Sequence, residues 1–184
     1  MKTHIFCSFL LLITFFQGCN SVSNKYSVSL HDLKRNGYEN GSLQYEKNDS
    51  IINVQKSTYG YEIEKFRKNQ QNIKKKYLYD KKGKLLEEST FFRLLPINYQ
   101  KIYDENGKVI LINDYSRPEY KFTLTKVIEM VNDYFKFDAY NQTPIEIIPY
   151  TSQRYNQKSY YWIVAIKGAI FYINGENGEL LLKH

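Results

Sequence analysis

Histidine, cysteine and paired carboxylates are the residues that could support chemistry in this 184-residue chain, and all are sparse or poorly spaced for it. The histidines are His4, His31 and His184; the cysteines are Cys7 and Cys19. A zinc centre needs three or four such ligands at converging spacings, and neither His31 nor the terminal His184 has one. A serine or cysteine nucleophile needs an adjacent base, most often histidine, and here too the material is missing. Glu62 and Glu64 would share a face of a strand, and Glu87 adjoins Glu88. Glycosidases work with two acids, but they set them in a cleft that no spacing here announces, so solvated strand faces are the expectation for both pairs. No glycine-rich phosphate loop is present. The chain therefore reads as non-enzymatic, with no catalytic residue, metal or cofactor expected.

The remaining reactive group is a cysteine near the N-terminus. After Lys2, an apolar run from Ile5 to Phe16 covers about a dozen residues, whereas a membrane-spanning helix needs roughly twenty. A basic start and a short apolar middle describe a secretory signal. The closing Phe16-Gln17-Gly18-Cys19 resembles the lipobox of bacterial lipoproteins, with departures at Phe16 and Gln17 of the kind found in lipoproteins of the Bacteroidetes type. That resemblance implies lipid attachment at Cys19 and cleavage just before it. Residues 1–18 are then a signal peptide and 19–30 a lipidated tether. Cys7 leaves with the signal, so no intrachain disulfide can form. A lone thiol in an oxidising compartment is better explained as a thioether, and two or more acyl chains suffice for stable anchoring. The tether Asn20–Lys25 lacks an acidic cluster, which favours a periplasm-facing attachment, at the outer membrane.

Formal net charge is +7, and removal of Lys2 with the signal lowers it to +6. An acidic partner or an anionic lipid surface would suit that excess; a solvated basic face is the commoner cause. Eighteen tyrosines and eleven phenylalanines favour strands. Residues 31–118 read as a β-hairpin region. Four stretches combine an aromatic, a polar turn, a glycine and an apolar strand start: Tyr38–Leu43, Tyr79–Leu86, Tyr103–Leu111 and Tyr172–Leu182. This is hairpin-loop chemistry. The two central copies resemble the YD-type and MORN-variant repeats of bacterial surface and toxin-associated proteins, over roughly residues 77–115. Between them and the first copy, "SIINVQ" and "YGYEIEKF" read as strands, and Arg67–Lys76 as a charge-rich, solvated connector. Basic residues among tyrosines can bind single-stranded nucleic acid, but an exported lipoprotein meets little of it, and nucleic acid is not an expected partner.

One helix is predicted from Thr123 to Phe135, because Leu124, Val127, Ile128, Val131 and Tyr134 fall at three- and four-residue spacing, with Thr123 as N-cap. Strands follow at Pro144–Pro149, Tyr160–Lys167, Ala169–Ile173 and Glu179–Leu182. Residues 119–184 resemble a PepSY-like module on Trp162, Val164, Asn174, Asn177, Gly178, Glu179 and Leu180; Asn174 and Asn177 stand where that pattern has Asp and Thr. The resemblance implies docking onto, or inhibition of, other envelope proteins. The fold class expected is α+β, mainly an antiparallel β-hairpin meander with one helix packed on a C-terminal sheet.

Phe91–Tyr99, "FFRLLPINY", is the unusual apolar stretch. It reads either as a buried strand with a bend or as an exposed anchor, since arginine and aromatics dominate interface hot spots and Pro96 favours an edge or loop. As an anchor it offers Phe92, Arg93 and Tyr99 as partner contacts; Trp162 is the alternative on the C-terminal sheet. Asp49-Ser50-Ile51 resembles the O-glycosylation motif of exported Bacteroidetes proteins, with Ser50 as acceptor. These readings combine into a lipid-anchored periplasmic protein-binding module. Its expected partner is an envelope protein or an incoming toxin, in the second case as an immunity protein. A structural or assembly role in an envelope complex is the alternative, and a wall or polysaccharide enzyme is the third.

Overall fold

The computed structural model describes residues 41–154 and 157–182. The signal, Cys19, the tether, His31 and His184 lie outside the described residues, as does most of the first turn stretch, Tyr38–Asn40. The described chain is mostly antiparallel β-sheet with a single helix.

Seven strands follow one another as a meander: β1 Ser42–Lys47, β2 Ser50–Lys56, β3 Gly60–Arg67, β4 Gln70–Asp80, β5 Leu85–Phe92, β6 Leu95–Tyr103 and β7 Val109–Asp114. Each pairs with its sequence neighbours, so the sheet order is the chain order, with β1 and β7 at the edges. Short turns allow nothing else, since a two- to five-residue loop can only join antiparallel neighbours. Alternation sorts the side chains onto two faces. On one face Val54, Ile63, Tyr77, Glu88, Lys101 and Ile112 stand side by side from β2 to β7. On the other are Gln55, Glu62, Leu78, Glu87, Ile102 and Leu111. The first row is apolar and buried through Tyr77, then turns charged at Glu88. A core of Ile52, Val54, Ile63, Tyr77 and Tyr79, flanked by Leu43, Tyr45, Tyr61 and Leu85, thus ends near β5. β7 lies beyond it.

After this sheet come α1, Leu124–Phe135, and strands β8 Ile145–Arg154, β9 Gln157–Ile166, β10 Ala169–Asn174 and β11 Leu180–Leu182. They form a second antiparallel sheet in the order β11-β10-β9-β8. The helix buries Val127, Ile128 and Val131 in a core with Ile145, Ile147, Trp162, Val164, Ile166 and Ile173. Phe92 from β5 joins the same cluster, with Ile73, Leu95 and Ile97 packed beside it. Full burial of such side chains stabilises by about 1.5–3 kcal/mol each, so this larger core also holds the first sheet to the second.

Four expectations need correction. Arg67–Lys76 is no connector: it turns at Lys68-Asn69 and runs on as β4. Two of its lysines are taken up across the sheet, Lys76 Nζ lying 2.7 Å from Glu62 and Lys74 pairing with Glu64. Tyr134 is 66 % exposed. Phe135, four residues after Val131, takes the inward place instead and packs against Phe171 at 4.4 Å between ring centroids. Thr123 holds the N-cap position with extended backbone, yet its side chain makes no cap hydrogen bond. The strand expected over Pro144–Pro149 extends to Arg154. Pro149 is tolerated within it because β8 is an edge strand, where a missing N–H need not interrupt a ladder.

Candidate partner-binding site

The turn between β5 and β6 consists of Arg93 and Leu94, flanked by the register pair Phe92 and Leu95. Neither is a usual turn residue. Arg93 has φ 55°, in the left-handed region that costs a side chain with a Cβ about 1 kcal/mol or more. A non-local tether holds it there. Arg93 N–H donates to Asn72 O at 2.7 Å, and Asn72 is 5 % exposed. The Asn72 amide donates to Ala139 O and Gln142 O, both at 2.9 Å, and its backbone N–H donates to Tyr140 O at 2.8 Å. The loop after α1 therefore clamps β4, and β4 clamps the tip.

Leu94, at the end of this tether, is 85 % exposed. On one side of it a cavity of about 270 Å³ is lined by Phe92, Leu95 and Pro96 together with Glu146, Ile147 and Ile148 of the β8 edge. Its walls are mainly apolar, and Ile148 is 49 % exposed. On the other side a cavity of about 330 Å³ is mixed, with Glu64, Lys74, Gln71 and Asn72 beside Phe66. The tip is thus an apolar knob between an apolar recess and a mixed one. The turn presents an exposed apolar side chain beside an apolar recess, with the partly exposed Arg93 next to it.

Of the residues proposed from sequence, Arg93 alone belongs to this site as a partly exposed side chain. Phe92 is fully buried; it forms the floor and cannot be a direct contact. Trp162 is 2 % exposed, and its indole Nε1 donates to Phe122 O at 2.7 Å, so it is a core residue satisfied within the chain. Tyr99 is 50 % exposed, but it sits well down β6, paired with Asp114, and not at the tip. Ser50 is 9 % exposed at the start of β2, so the folded chain presents it poorly to a glycosylating enzyme. Pro96 faces Phe91 in a strand that is central by order. β7 reaches only to Tyr99, so Pro96 is locally at an edge. There its carbonyl accepts from Arg117 Nη1 at 3.1 Å.

The carboxylates are engaged in structure. Beyond the Glu62 and Glu64 ion pairs, Glu87 accepts from Ser89 Oγ at 3.2 Å and Glu88 from the Tyr103 hydroxyl at 3.2 Å. Burial pushes the Tyr103 phenol up to about 12, with the charge of Glu88 and its hydrogen bond adding to the effect. Among the described residues no three His, Cys, Asp or Glu side chains converge as metal ligands. Leu94, Asn72 and Ile148 were not singled out from sequence. Arg-Leu carries no turn signature, and the partners of Asn72 lie about seventy residues away. No protein family, curated protein or solved structure matches the chain.

Proposed function

We propose that this chain is a lipid-anchored, periplasm-facing protein-binding module that acts by occupying a partner's surface and performs no catalysis. The observation that carries the reading is Leu94, 85 % exposed on a tethered turn beside an apolar recess of about 270 Å³. A side chain already held in place loses little freedom on binding, and Arg93 beside it is of a type enriched at interface hot spots. The lipobox-like Phe16–Cys19 supports anchoring through Cys19, and the basic excess supports an acidic partner. Within this class the favoured task is that of an immunity protein neutralising an incoming antibacterial toxin. The helix, the four antiparallel strands and the closing Asn174–Leu180 turn support a PepSY-like assignment for residues 119–184, whose relatives by resemblance act on other envelope proteins.

The test is a titration of partner activity by full-length protein and by Leu94→Asp. A binder protects only near equimolar amounts, and loss of one hot-spot contact costs at least about 2 kcal/mol, roughly thirtyfold in Kd. Leu94→Asp should lose protection at an unchanged melting temperature. Protection at a hundredth of the partner's concentration would mean turnover and end the reading. Co-purification with a fixed envelope complex in toxin-free cells would favour the assembly role instead.

A further inference from the structure

A second apolar surface lies far from the tip, on the last strand of the large sheet. β7 is an edge, unpaired on its outer side among the described residues. It carries three consecutive exposed apolar side chains: Ile110 at 63 %, Leu111 at 47 % and Ile112 at 54 %. Edge strands of this kind are usually blunted, because their free N–H and C=O groups template another strand. Here the stretch Lys108–Asp114 reads KVILIND. Reversed against itself about Leu111, it sets Leu111 on Leu111, Ile110 on Ile112, Val109 on Asn113, and Lys108 on Asp114 at both ends. The stretch is self-complementary in apolarity at its centre, Ile110–Ile112, and in charge at its ends.

The backbone in the second half of β7 is open to a further strand, whereas Lys108 N–H and C=O are both bonded to Asp104, so Lys108 meets Asp114 of a second copy through its ammonium alone. Tyr115 N–H donates to Asn98 O at 2.6 Å, so the alternation of an antiparallel ladder turns the main-chain groups of Ile112 and Asp114 outward. Lys108 and Asp114 are exposed, and one Asp114 oxygen is taken by Ser116 N–H at 2.8 Å, leaving the other for a lysine.

We infer that β7 is a self-association edge, where a second copy of this chain adds antiparallel across a two-fold axis at Leu111. Such a contact is isologous. It is also small, because the register shift beside Ile102 bulges the strand at Ile110 and limits the pairing to a short run. The dimer is weak, reversible and salt-sensitive, in the class of small transient interfaces. It leaves the Arg93–Leu94 tip outside the contact, so its success or failure does not depend on the function proposed above.

Sedimentation velocity of the full-length chain in mild detergent, over a concentration series, tests this. The wild type should pass from monomer to dimer. Ile110→Lys should abolish the dimer without lowering the melting temperature. Lys108→Asp and Asp114→Lys each place like charges at both ends and should weaken it at least tenfold, about 1.4 kcal/mol. The double exchange Lys108→Asp with Asp114→Lys should restore it, which a merely sticky surface would not do. A wild type that stays monomeric throughout, as it would if residues 1–40 covered β7, overturns the inference. So does a dimer indifferent to Ile110→Lys, or a double exchange that fails to rescue.

Discussion

At one end of the large sheet the β4–β5 and β6–β7 loops close on Asp80 and Asp104. Asp80 Oδ1 accepts from Lys82 and Lys84 N–H, both at 2.8 Å, and Asp104 Oδ1 accepts from Asn106 at 2.9 Å and Lys108 at 2.8 Å. Gly83 and Gly107, at φ 83° and 78°, complete two copies of one loop. At the other end the β5–β6 tip contains no Asp, Asn or Gly, and its conformation is imposed by Asn72 and by the burial of Phe92. The first kind of turn is self-sufficient and polar. The second takes its conformation from a distant loop. A turn that does not spend its own side chains on its geometry can spend them on a partner.

That contrast can be broken most severely at Phe92. Phe92→Ala empties the floor of the tip and should cost about 3–5 kcal/mol in urea or thermal unfolding, whereas Leu94→Ala, one residue from the turn's base and exposed, should stay within about 0.5 kcal/mol. Equal losses would erase the distinction between support and display. A smaller effect is expected at the polar end. Asp104→Ala removes two local hydrogen bonds and should cost about 1 kcal/mol, like the loss of a helix cap, with partner binding unchanged. Partner binding that falls with Asp104→Ala would make the polar end part of the site. The smallest effect concerns pH. With the Tyr103 phenol at about 12 in the folded chain against about 10 in an unfolded one, its contribution is complete below about pH 10. It is lost as pH rises through 12. Relative to Tyr103→Phe, the wild type should lose stability over that window and not below it, as read from melting curves at alkaline pH.

The polar turns were legible because their chemistry is local: an Asp at the entry and a Gly three residues on announce themselves in any sequence. The helix was legible for the same reason, apart from its last turn, where Tyr134 and Phe135 compete for one inward place and only the packing partner, Phe171, decides. Arg67–Lys76 was misread because its lysines look solvated until Glu62 and Glu64 are set beside them by strand pairing. Of the candidate contacts named from sequence, Arg93 alone lies at the exposed tip of Phe91–Tyr99. Phe92 and Trp162 have the residue types of hot spots, but burial is a property of sheet order, which composition does not carry. The apolar run in β7 reads as an ordinary strand start, and nothing in it says that no neighbour follows.

Asn72 has an evolutionary consequence. Its amide must donate to two carbonyls at once, Ala139 O and Gln142 O. Aspartate has the shape but at neutral pH would turn oxygen toward oxygen, and residues without an amide would strand both acceptors. Position 72 is therefore held to one residue type by the fold, while positions 93 and 94, which it steadies, contribute little to that fold through their own side chains. In a lineage whose partners change, substitutions can accumulate on the tip without passing through unstable ancestors, and relatives should vary most at the turn and least at the asparagine behind it.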